Sequence, residues 1–140
     1  MASGAYNRGK FNLMKKLMDM DSDTFDVILL DNDHAFDADD NVETDVNSNE
    51  IAPGSAFGYS TGGETMTGLT VTQDDTNDCA TWDADNVVWT DATFSAYHAV
   101  IVDRTVSDNL VLSIDFGGIK SVSSGTFTIS WSANGIWRLA

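Results

Sequence analysis

Cysteine is almost missing from this 140-residue chain. Cys79 stands alone, so no intrachain disulfide can form. As a nucleophile it would want a partner base, and the two histidines, His34 and His98, stand in unrelated sequence contexts. Cys79 reads as an inert, half-buried strand residue, and His98, in mid-strand beside Ala99 and Val100, as a satisfied histidine. No stretch approaches the roughly 18 apolar residues that a bilayer-crossing helix needs. The N-terminus has no apolar core followed by a small-residue cleavage site, so a secretory signal is not expected either. No G-x-G-x-x-G follows a strand pattern, and no phosphate loop with Gly-Lys-Ser/Thr occurs. One cysteine and two histidines far apart in sequence do not offer the clustered ligands of structural zinc. Aspartates are so frequent that pairs such as Asp83 and Asp85 arise by chance and identify no glycoside hydrolase. These absences predict a protein that is not an enzyme and has no cofactor or metal.

Basic side chains are scarce too, 7 against 22 acids, for a formal charge of −15. The deficit is uneven. Arg8, Lys10, Lys15 and Lys16 all fall in the first sixteen residues, which hold no acid. The remainder sets three basic residues against all 22 acids. Such a body repels nucleic acid and anionic membranes, and only the basic arm could attract an acidic surface, a partner's or that of a neighbouring copy.

What is present is a β pattern in a chain long enough to bury a core without staples. Ala96 to Val102 is apolar at nearly every position, as in a strand covered on both faces. Leu110 to Phe116 alternates, as in a strand with one dry face, and the polar Asp103–Asn109 stretch between them predicts an antiparallel pair. Further strands are predicted at Thr24–Leu30, Glu64–Gln73, Cys79–Trp82, Val87–Trp89, Thr126–Trp131 and Ile136–Leu139. Gly68 marks a bulge or a close approach in the second of these. Asp74–Asp78, Asp83–Asp85 and Gly117-Gly118 read as turns, and Asn134-Gly135 as the type I′ turn of a final hairpin. The four tryptophans lie among apolar strand neighbours and read as core or interface aromatics, with a carbohydrate platform as the other use. The expected fold is mainly β: an antiparallel, jelly-roll-like β-sandwich of about eight strands with one N-terminal amphipathic helix. Its units would be an arm at 1–22 and a sandwich at 23–140.

The helix is predicted from Arg8 to Met20, with Phe11, Met14, Leu17 and Met18 on one stripe and Lys10, Lys15 and Lys16 outside it. Packing on its own domain, docking on a partner and lying on a membrane surface all suit that pattern. The acidic loop Asp31–Asp45 invites a calcium assignment. Set at Asp37, an EF-hand would need Gly at Val42 and Glu at Ser48, so the match fails. The long irregular stretch from Asn47 to Gly63, punctuated by Pro53-Gly54 and Gly62-Gly63, suggests a contact segment.

Nearly the whole chain resembles a family of small structural proteins of tailed bacteriophages. The motifs that carry the likeness are Y-x-x-G-G (Tyr59 to Gly63), D-D-T-N-D (Asp74 to Asp78), D-A-D-x-V-x-W (Asp83 to Trp89) and N-G-I (Asn134 to Ile136). The segment APGSAF before Tyr59 departs from the family pattern by an insertion. The resemblance implies a virion component assembled in the host cytoplasm, most simply a capsid decoration or cement protein on the capsid surface. Its partner would be the major capsid protein, and it would form a homo-oligomer, for instance a trimer. A tail, fibre-base or head–tail position is the near alternative, and a calcium-dependent carbohydrate-binding module the distant one. The contact residues expected are Arg8, Lys10, Phe11, Met14, Lys15, Leu17 and Met18 of the arm, with Pro53, Phe57 and Tyr59 of the loop.

Overall fold

The computed structural model describes residues 3–52 and 56–140. In chain order the elements are β1 (Gly4–Ala5), α1 (Asn7–Met14), β2 (Phe25–Leu30), β3 (Glu64–Thr65), β4 (Thr70–Asp74), β5 (Cys79–Asp83), β6 (Val87–Asp103), β7 (Asn109–Ile129) and β8 (Trp137–Leu139). Two single 3-10 turns, Glu43–Asp45 and Asn47–Asn49, interrupt the long connection after β2. The strands form two antiparallel sheets, one ordered β1-β7-β6-β2-β3 and the other β4-β5-β8. This is the expected β-sandwich with one helix near its N-terminus.

The β6–β7 hairpin is the frame. Its first half, Val87 to Ala96, alternates between buried and exposed apart from one slip at Thr90-Asp91, as a bulged strand with one dry face should. From His98 onward every β6 residue is buried, because both faces of the five-stranded sheet are covered there. One face joins the main core, in which Phe25, Val27, Leu29, Ala99 and Ile101 meet Trp82, Trp89 and Phe127. The other supports a second core of Ile28, Leu30, Val100, Val102 and Leu110, roofed by Tyr6 and Val46, with Phe36 packed against it. Burial of each such large side chain is worth about 1.5–3 kcal/mol, so this roof matters to stability. It is built from the N-terminal segment and the acidic loop. Residues Asn109 to Ser113 of β7 are therefore buried without alternation, where one dry face was expected.

Several elements depart from the sequence pattern. The predicted Glu64–Gln73 strand is two strands in different sheets: β3 pairs with β2 and β4 with β5. The switch occurs at Gly68, which has φ +65° and lies so close to Asp85 that a Cβ would sit 2.5 Å from its carboxylate. The predicted 110–116 and 126–131 strands are one strand, because Gly117-Gly118 makes no reversal. Tyr97 alone on β6 faces Phe116 to Ile119 on β7, and positive φ at both glycines lets the strand bulge and bend. The bend brings the Phe116 and Phe127 rings to 6.2 Å. Nor does Asn134-Gly135 close a hairpin onto β7. The Gly135 N–H donates to Ser132 at 2.9 Å and Ile136 donates to Trp82 at 2.7 Å, so the chain crosses over and β8 pairs with β5.

The helix is shorter than its pattern. It stops at Met14 with Lys16 at φ +58°; Lys16 N donates to Leu13 O and Leu17 N to Asn12 O, which is a Schellman ending. No glycine announces it. Residues 3–20 are also built into the sandwich and do not form a separate arm: Tyr6 is fully buried, and Met18 and Met20 enter the main core.

Candidate interaction surface

The face that α1 turns to the sandwich is its small and polar one. Gly9 lies over β7 so closely that a Cβ would stand 3.0 Å from Val111 Cα. Asn12, buried, donates to Asn109 Oδ1 at 2.8 Å. Val111 is the extra residue of a β-bulge between the Ile101–Leu112 and Val102–Leu110 pairs, and its carbonyl accepts the Tyr6 N–H at 3.0 Å. This seat rotates the apolar stripe outward. Phe11 is 47% exposed, Met14 88% and Leu17 52%, and Lys10, Lys15 and Lys16 flank them, all exposed. Arg8 is half-buried over the Phe11 ring, 5.7 Å from its centre, and donates to Asn41 Oδ1 at 3.2 Å. Seven of the expected contact residues thus divide. Arg8, Lys10, Phe11, Met14, Lys15 and Leu17 form one ridge, while Met18 points into the core, where the Schellman turn sends it.

The loop residues divide too. Phe57 is 72% exposed, and its backbone bridges to Thr93 on β6. Tyr59 is a core residue and not a contact. Its hydroxyl donates to Glu50 Oε1 at 2.6 Å and accepts the Leu29 N–H at 3.1 Å, and burial together with Glu50 pushes its ionisation far above the ordinary tyrosine range. Pro53 lies outside the described residues.

Three carboxylates of the acidic loop are spent on its own backbone. Asp45 Oδ2 accepts the N–H groups of Asn41 and Val42, which holds its ionisation below the usual carboxylate range. Asp31 and Asp37 close Asx turns on Asp33 and Asp39. Among the described residues no three His, Cys, Asp or Glu side chains gather as ion ligands. Arg104 ties this loop to the sheet, reaching Asp26 (2.8 Å), Glu43 (2.6 Å), Asp108 (3.0 Å) and the Gly62 carbonyl (2.9 Å).

The histidines, far apart in sequence, meet in space. His34 from the acidic loop and His98 from β6 stack edge to face at 5.1 Å, with only 6% and 9% of their surfaces exposed. No motif spacing could have joined them. A groove of about 700 Å³ lies in the crook of β7, walled by Phe116, Phe127, Trp131, Ile136 and Trp137, with Lys120 the charged residue of its lining. Trp82 and Trp89 are buried; Trp131 and Trp137 are half-exposed here. No family model matches the chain, and comparisons with curated proteins and with solved structures find no match.

Proposed function

We propose that this protein is a non-enzymatic virion structural protein that docks through the α1 ridge, most simply as a capsid decoration protein on the major capsid protein. The observation that carries this reading is the ridge itself. Three large apolar side chains stand exposed beside Lys10, Lys15 and Lys16 on a chain of net charge −15. A helix held on a rigid sheet presents them without an ordering cost at the moment of contact. The ridge suits a partner with an apolar groove rimmed by acids, and its methionine can adapt to the groove's shape. The negative remainder keeps free copies apart before assembly. The resemblance to small phage structural proteins supports the same reading.

The test is cryo-electron microscopy of particles of the phage encoding the chain, with and without a Met14→Asp, Leu17→Asp double substitution. Density for the domain in regular array over the shell, lost in the variant, is expected. Density at the portal or tail alone would move the protein to that position, and none on the particle would end the virion reading. The substituted side chains are exposed, so the variant should melt within a few degrees of the parent.

A further inference from the structure

The groove in the crook of β7 carries no proposal, since nothing in the structure indicates what fills it. The buried histidine pair does. We propose that His34 and His98 form an acid-sensitive latch that holds the N-terminal strand and helix, and the ridge they present, on the sandwich.

The N-terminal segment and the start of the acidic loop, which carries His34, join into one layer on this face of the sheet. Tyr6 stacks on Phe36 at 5.0 Å, and Asn7 N donates to Ala38 O at 2.9 Å. That layer is fastened at the two β7 residues that touch the histidines. Ser113 pairs with Gly4 of β1 and has its hydroxyl 3.4 Å from His34 Nε2. Asp115 donates its N–H to Ser3 Oγ at 2.7 Å and places Oδ1 3.8 Å from His98 Nδ1. His98 Nδ1 is buried and makes no hydrogen bond within the described structure.

With both rings neutral, the edge-to-face stack is favourable. The ionisable groups that face the pair are Asp31 from the loop after β2, Asp115 from β7 and Tyr6 from the N-terminal segment. Asp37 and Asp40 stand behind Tyr6, whose own ionisation burial pushes up to about 12, so it stays neutral. Two like charges at the 5.1 Å ring separation, in a space poor in water, would repel with little screening. Burial first, and then His98, holds His34 below the ordinary histidine value, against the opposing pull of Asp31 and Asp115. Lifting the layer hydrates His34 and lets it ionise. Protons therefore favour the lifted form, and the latch weakens as pH falls below about 6.5.

Amide hydrogen exchange on the full chain, corrected for the intrinsic rate, tests this at neutral pH and at about pH 5. On acidification, the amides of 5–17 and 34–41 should lose protection by at least about tenfold more than those of β2 and the covered half of β6. His34→Phe keeps a ring in the stack but cannot take a proton, and it should abolish that difference. If the phenyl ring disturbs the fold at neutral pH, His34→Gln supplies the uncharged control. Unchanged N-terminal protection in acid, or equal loss in both variants, would overturn the latch. Its bearing on docking rests on the proposed function, but the exchange readout needs no partner, so the two ideas can fail separately.

Discussion

Asp103→Asn should make this protein more stable at neutral pH. Asp103 ends β6 fully buried, with Oδ1 accepting the N–H groups of Thr105 and Val106 at 3.0 and 3.1 Å. Its Oδ2 is buried without a donor. Burial, and secondarily the nearby Asp23 carboxylate, raise its ionisation to about 6 from an ordinary 3.8. The folded chain therefore keeps a proton that the unfolded chain gives up, and stability falls as pH rises from about 4 to about 6. At 1.36 kcal/mol per unit, a shift of about two units costs at most about 3 kcal/mol above pH 6. Asparagine keeps the oxygen that caps the turn, and its amide group stands where the carboxyl proton would, donating toward Asp23. Urea unfolding, followed by tryptophan fluorescence, should show the variant ahead by about 2–3 kcal/mol at neutral pH, with the advantage fading toward pH 4.5. Lower pH nears the isoelectric point of about 4.1, where precipitation interferes. His34 acts with the opposite sign, its contribution being present above the ordinary histidine value and lost on acidification, but it cancels in the difference between variant and parent. A variant less stable at neutral pH, or a difference independent of pH, would refute the argument.

Arg104→Met leaves Asp26, Glu43 and Asp108 around a side chain that cannot answer them. A loss of about 3 kcal/mol is expected from denaturant unfolding, less in about 1 M salt, which screens their repulsion. Tyr59→Phe strips the Leu29 N–H and Glu50 of a shared partner and should cost about 1–3 kcal/mol by the same measurement. Gly9→Val should lift α1 from Val111 and cost about 1–3 kcal/mol, with amide exchange quickening first in residues 7–14.

The sheet positions were readable because their side chains answer to one rule, burial on one or both faces. Ala96–Val102 and Cys79–Trp82 obey it, and they fold as their patterns say. Departures come where backbone geometry decides. Gly117-Gly118 is as compatible with a reversal as with a bulge, and only the run of β6 opposite selects the bulge. Gly68 was legible as a close approach, but the change of sheet it permits was not. The helix stripe suited packing on its own domain, docking or a membrane surface alike, so the pattern could not choose its buried face; the face that fits over a β-bulge must be small, and Gly9 with Asn12 meet that demand. The ridge residues were therefore identifiable as a set, while Met18 was separated from them by a Schellman turn with lysine at its left-handed position. Tyr59 looked like a loop aromatic because the hydrogen bonds that bury it come from Leu29 and Glu50. The histidine pair, divided between a loop and a strand, left no trace in spacing.

The seat of α1 on β7 also sets an order of events during synthesis. Ser3 bonds to a residue 112 positions later and Asn12 to one 97 later, so this segment leaves the ribosome well before the strand on which it is placed. Contacts of such long range form slowly, and the β6–β7 hairpin must exist before the segment has anything to close upon. Until then Tyr6, Met18 and Met20 stand in water beside the ridge, and the growing chain is at its stickiest. Placing four positive charges within that same stretch lets nascent chains repel one another through the interval in which they have most reason to clump.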